Sequence, residues 1–292
     1  MFYSNEDFIY RDPLQLPVSK EIQDAVFSGG AEMSPFQLAF LCGLLKEKKP
    51  SKILEVGVSA GGTSCVIMNC LKMIDSNAEF HSVDVLSHCY QDKSKAAGHL
   101  MHEVFPKEAK NRWDLRLGHT VAAHLEEIGK GIDFCVLDAS HVLPGELLDF
   151  IVIFPYLAPD AVLVLHDTSL YLEPRANLSV ATRILLSSVC ADKIICRETD
   201  DPLKLSNIAA FQINSDTGKY INNCFSALAL RWVYKLDKVF AEEYRQIIAA
   251  KYDQELLEYF DKILAIQNHH SRSSFIARGI RSVLYRIFGR IL

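Results

Sequence analysis

Two rhythms of apolar and polar positions alternate along the first 215 residues. Short apolar runs, rich in β-branched residues and closed by glycine, proline or an acid, fall at 52–58, 79–85, 113–117, 132–137, 161–165, 194–196 and 207–213. Runs of that length between turn residues predict buried strands. Between them, apolar residues return every three or four positions, as in Val66, Ile67, Cys70, Leu71 and Ile74, which predicts helices. Helices are expected at about 20–27, 35–49, 63–74, 121–128, 145–157 and 180–190, with one or two more across 87–112. Ser34 followed by Pro35 reads as a cap and first helical residue. This alternation predicts an α/β domain over residues 1–215, a doubly wound and mostly parallel seven-stranded sheet.

From residue 216 the strand rhythm stops. Phe225, Leu228, Leu230, Trp232, Val233, Leu236, Val239 and Phe240 form one apolar series, and Leu256, Leu257, Phe260, Ile263 and Leu264 a second. An all-helical extension over 216–292 is expected. Its end carries five arginines (272, 278, 281, 286, 290) and no acid, with Ile276, Ile280, Val283, Ile287 and Ile291 on one helical face. A basic amphipathic helix over 272–292 suits peripheral contact with anionic lipid. It suits docking on its own domain, or on a second subunit of a homo-oligomer, equally well. No window offers the 18 apolar residues of a membrane span, and the N-terminus lacks the order of a signal peptide. Eight cysteines without a C-x-x-C pair fit a reducing, cytoplasmic compartment. A net charge of −5 argues against a nucleic-acid partner.

The chemistry concentrates where the strands end. The first run reads Ile53-Leu54-Glu55-Val56-Gly57-Val58-Ser59-Ala60-Gly61-Gly62-Thr63. Strand, glycine turn and helix in succession build a nucleotide-type pocket at the carboxyl ends of an open sheet. The dinucleotide fingerprint fails, because Ser59 takes the second glycine's place and Glu55 would repel a diphosphate. An acid followed by this turn suits a ligand bearing an ammonium and a sulfonium. Residues 57–61 also spell G-x-S-x-G, a nucleophile elbow that would make Ser59 a hydrolase nucleophile; the preceding chain offers neither the strands nor the oxyanion loop that elbow requires. The next strand ends in Asp84, placed to take ribose hydroxyls. The third ends in Gly118-His119, where an adenine could lie close with His119 at its edge. Two further strands end in Asp138-Ala139-Ser140-His141 and His166-Asp167, which brings two acids to one edge of the sheet.

Taken together in order and spacing, Ile53–Gly61, Ser82-Val83-Asp84, Val136–His141 and Val164–Asp167 resemble the class I S-adenosylmethionine-dependent methyltransferases. The similarity over 33–213 is to the O-methyltransferase branch of catechol, caffeoyl-CoA and antibiotic-sugar types. The resemblance implies a Rossmann-like fold and S-adenosyl-L-methionine as cofactor. It implies that Glu55, Gly57, Ser59, Gly61 and Thr63 hold the methionine part, and that Asp84 holds the ribose, with Gly118 and His119 beside the base. It further implies Mg²⁺ at Asp138 and Asp167 and a catalytic group of His141, Asp138 and His166, with His141 as general base. The acceptor would be a small hydroxylated molecule, a sugar or secondary metabolite. Relatives often place a second acid or an Asn beside the second metal ligand, whereas His166 and Thr168 flank Asp167 here. A non-catalytic binding protein that keeps the fold is the alternative, with the Ser59 hydrolase behind it.

Overall fold

The structure is a computed structural model that describes residues 8–10, 19–28, 33–195 and 206–268. In its first half a short strand β1 (Phe8–Tyr10) and helices α1 (Lys20–Ser28) and α2 (Pro35–Lys48) precede β2 (Lys52–Val56), α3 (Gly62–Met73) and β3 (Glu79–Asp84). Short helices α4 (His99–Val104) and α5 (Pro106–Asn111) lead to β4 (Trp113–Leu117). A 3₁₀ turn (Val121–His124) and α6 (Leu125–Ile128) follow, then β5 (Ile132–Leu137), α7 (Gly145–Ile153) and β6 (Leu157–His166). The remainder is α8 (Ala181–Ser188), β7 (Asp192–Ile195), β8 (Ile208–Gln212), α9 (Ser215–Lys219), α10 (Asn222–Leu228), α11 (Lys238–Lys251) and a last helix α12 over 254–268.

The strands form one sheet in the order β1-β7-β8-β6-β5-β2-β3-β4, parallel except for β8, which runs antiparallel to β6 and β7. Period-two alternation makes the sheet two-sided. Ile53, Phe134 and Val136 enter the apolar layer beneath α2, α3, α4 and α5. Leu54, Val56, Cys135 and Leu137 enter the opposite layer, under α7 and α8. Burial on both faces explains why the sequence shows continuous apolar runs instead of alternation. Ser34 caps α2 as expected, in a capping box with Gln37.

Three details differ from the expectation. The seven anticipated strands are joined by an eighth, β1, which adds to the edge beside β7; three residues are too few to carry a periodic signal. The helix expected to reach residue 157 stops at Ile153, where Pro155 sits in a 3₁₀ turn. The apolar series 225–240 is two helices, broken over 229–237. Those helices do not stand apart from the sheet: Phe225, Trp232, Ile248 and Phe260 belong to the same apolar layer as Leu147 and Ile151 of α7. The basic segment 272–292 lies outside the described residues. Among the described residues, no helix is long and apolar enough to cross a membrane.

Candidate active site

A cavity of about 480 Å³ opens where the parallel strands end. The turn after β2 forms one wall through Gly57, Val58, Ser59, Gly62 and Thr63. Gly57 has φ +92°, and a Cβ there would lie 1.9 Å from the carbonyl oxygen of Asp138, so only glycine allows β2 and β5 to close up at this point. Asp84, at the end of β3, fastens the turn: its Oδ2 accepts from the N–H groups of Val58 and Ser59 at 2.9 and 3.0 Å. Oδ1 accepts from the N–H of Leu86 at 2.8 Å. Asp84 also lines the cavity with Val85 and Leu86.

Glu55 sits behind this wall, fully buried. The hydroxyls of Ser64 and Ser82 both donate to its Oε2 at 2.6 Å, and Ser82 accepts in turn from the Trp113 indole N–H at 2.7 Å. Oε1 has no partner. Burial pushes the carboxyl up to about 7 against the two hydroxyls that hold it down. A buried acid with one bare oxygen beside a glycine turn fits a ligand that carries an ammonium.

Four side chains converge at the ends of β5 and β6. Donor atoms of Asp138, His141 and Asp167 all lie within 4.8 Å of one another. His166 Nδ1 is 3.0 Å from Asp138 Oδ1, and His141 Nε2 is 3.2 Å from Asp167 Oδ2. The amide of Asn207, at the start of β8, donates to Asp167 Oδ1 at 2.5 Å. Both His141 (φ +60°) and Asp167 (φ +58°) hold left-handed backbone conformations, which L side chains rarely adopt. Burial alone would raise the Asp138 carboxyl, but the His166 imidazole beside it holds it below the usual range. Burial works to lower His141 and is outweighed by Glu146, Asp138 and Asp167, which bring it up to about 9. Two carboxylates and an imidazole fit a divalent cation by count and convergence, with the carboxylates as the donors magnesium prefers.

Of the sequence candidates, Gly57, Ser59, Thr63, Asp84, Asp138 and His141 line the cavity. Gly61 instead caps α3, where a Cβ would come within 3.0 Å of Gly98. Gly118 and His119 stand behind Thr120 and Val121, which form the wall there. His119 Nδ1 pairs with Glu243 of α11 at 2.6 Å. His166 and Asp167 reach the cluster from behind His141 and Asp138. The Ser59 hydroxyl lies 3.7 Å from the Cys89 thiol and not beside an imidazole, so the elbow reading has no base among the described residues. Sequence reasoning missed Glu146. It is fully buried in the first turn of α7, and its Oε1 accepts from the N–H groups of Ala139 and His141 at 3.1 and 2.7 Å. That carboxylate shapes the turn that carries His141. An acid in a first helical turn is too common to have announced it.

Residues 54–168 match a family model described as a methyltransferase domain. Over that stretch the chain is similar to a methyltransferase domain. A protein assigned as an O-methyltransferase, from Klebsiella pneumoniae, shares its fold at a TM-score of 0.50 and 13% identity, over 68% of this chain and 92% of that one. An O-methyltransferase from Bacillus cereus, solved with S-adenosylhomocysteine, is similar at 0.48 and 15%, over 68% and 93%. TomG of Streptomyces achromogenes, involved in tomaymycin synthesis and solved with S-adenosylmethionine, is similar at 0.46 and 15%, over 68% and 92%. No curated protein matches in sequence. The matched stretch runs from within β2 to just past β6, and so contains both the glycine turn and the acid–imidazole cluster.

Proposed function

We propose that the protein is an S-adenosyl-L-methionine-dependent O-methyltransferase acting on a small hydroxylated acceptor, a sugar or secondary metabolite. The observation that supports this reading most is one cavity at the sheet's carboxyl edge that joins the Gly57–Thr63 turn and Asp84 to Asp138 and His141. S-adenosyl-L-methionine, when bound, supplies a methyl group on a sulfonium for in-line displacement by an acceptor oxygen. Such a transfer asks the protein chiefly to align and to deprotonate. The backbone of Gly57, Ser59 and Thr63 takes the methionine part, and Glu55 stands behind them as the buried counter-charge. Asp84 takes the ribose, and the wall of Val85, Thr120 and Val121 takes the base. His141, in its neutral form, takes the acceptor's proton at Nε2, so turnover should climb as pH rises towards about 9. Glu146 orients His141 through the backbone N–H, and His166 keeps Asp138 ionised. A divalent cation held by Asp138 and Asp167 would lower the acceptor hydroxyl's pKa.

Calorimetric titration with S-adenosylhomocysteine, with and without Mg²⁺, tests the reading. Saturable binding at a stoichiometry of one per chain is expected, and absence of binding in both conditions refutes it. Turnover on a panel of glycosides and phenols then separates an enzyme from a binding protein of the same fold: cofactor binding without any methylated product favours the latter.

A further inference from the structure

The cavity carries a carboxylate with no assigned role, one helical turn beyond Glu146. Asp149 lies one turn into α7, is 5% exposed, and lines the cavity together with Tyr244 of α11. The Tyr244 hydroxyl donates to its Oδ1 at 2.6 Å. Both helices pack against the 3₁₀ turn that follows β4, so Asp149 faces the part of the cavity walled by Thr120 and Val121. The neighbouring residue of α11 secures that turn. Glu243 accepts from the Thr120 N–H at 3.1 Å and from its hydroxyl at 2.7 Å, and pairs with His119. Residues 215–268 thus contribute a wall to the pocket from outside the matched domain of residues 54–168.

We propose that Asp149 is the residue that selects the base of the cofactor, accepting a hydrogen bond from the exocyclic amino group of its adenine. This rests on the cofactor reading given above. A carboxylate buried with a single tyrosine donor remains short of partners, because it can accept several hydrogen bonds. Among the edges of adenine, the 6-amino group is the donor, while the ring nitrogens N1, N3 and N7 accept. A carboxylate oxygen therefore matches that one group and opposes the rest. Burial drives the Asp149 carboxyl up to about 7, with Tyr244 acting against it, which is the cost a donor from the ligand would relieve. Tyr244 fixes the carboxyl's rotation and is a positioning residue.

The test is a cycle between protein and ligand on the full chain, read by calorimetry. The probes are S-adenosylhomocysteine and its 6-deamino counterpart, in which a hydrogen replaces the amino group. The wild type is expected to prefer the amino form at least tenfold. Asp149→Leu should cut that preference to twofold or less, and Asp149→Ala takes its place if the leucine variant does not fold. Asp149→Asn keeps its oxygen on Tyr244 and turns an N–H donor towards the ligand, so it should lose the preference as the leucine variant does. Equal binding of both probes by the wild type overturns the proposal, as does a preference that survives Asp149→Leu or Asp149→Ala. If the wild type binds neither probe, the cofactor reading itself falls. If it binds the amino form without preference, only the role of Asp149 falls.

Discussion

Glu55, fully buried at the end of β2, and Asp138, half-buried in the cavity wall after β5, are two acids on neighbouring strands, and they are handled in opposite ways. Glu55 is surrounded by hydroxyls, which donate without carrying charge, and its carboxyl rises to about 7. Asp138 is half-buried at the cavity wall and faces the imidazoles of His166 and His141, which hold its carboxyl below the usual range against the pull of burial. Burial raises both acids; uncharged hydroxyls do not offset it at Glu55, whereas imidazoles do at Asp138. The consequence is a division of labour along one edge. The Glu55 end can await a cation from the ligand, whereas the Asp138 end is already charged and ready for proton chemistry.

The sharpest way to test that division is to remove the base. His141→Ala should lower turnover by about 10²–10⁴-fold, the usual worth of a general base, with affinity for S-adenosylhomocysteine unchanged. Parallel loss of binding and turnover would mean that His141 supports the pocket instead. Next in size is His166→Leu, which strips Asp138 of its closest partner. A buried carboxylate left unpaired costs on the order of 3 kcal/mol, visible as a lower urea midpoint at neutral pH that recovers as Asp138 is protonated at lower pH. The smallest effect comes from Glu55→Gln and has the opposite sign. Glu55 is raised in the folded state, so the folded chain keeps a proton that the unfolded chain has released. Its contribution is therefore complete below pH 4.5 and falls away as pH rises towards about 7. Glu55→Gln should thus be neutral near pH 4.5 and more stable than wild type at pH 8, by roughly 2–3 kcal/mol. A stability difference independent of pH would show that Glu55 is ionised throughout.

What the sequence revealed of this site followed the strands. Buried parallel strands announce themselves as apolar runs, and residues at their ends must reach the same edge, so Asp84, Asp138 and Asp167 were legible before any coordinates. β8 was legible too, as the apolar run over 207–213. What stayed hidden depends on the other layer of the molecule. Glu146, Asp149, Glu243 and Tyr244 reach the site from helices, where one polar residue on a mostly apolar face has no spacing that singles it out. The offset between Gly118-His119 and the true wall at Thr120 and Val121 has the same origin. Periodicity locates a strand's end but does not fix the path of the turn beyond it. β1 escaped because three residues at a sheet edge need no pattern, only a free row of hydrogen-bonding groups.

The glycine turn proposed to hold the cofactor is itself gripped. Gly98 donates its N–H to the Ser59 carbonyl at 2.8 Å, and Leu100 donates to Ala60 at 3.0 Å. Two amides from the start of α4 are thereby stitched to the backbone that the ligand would touch. The 85–98 loop cannot lift away without breaking those stitches, so the pocket's entrance and its floor breathe together. Solvent exchange at these two amides becomes a gauge of occupancy that needs no acceptor and no turnover.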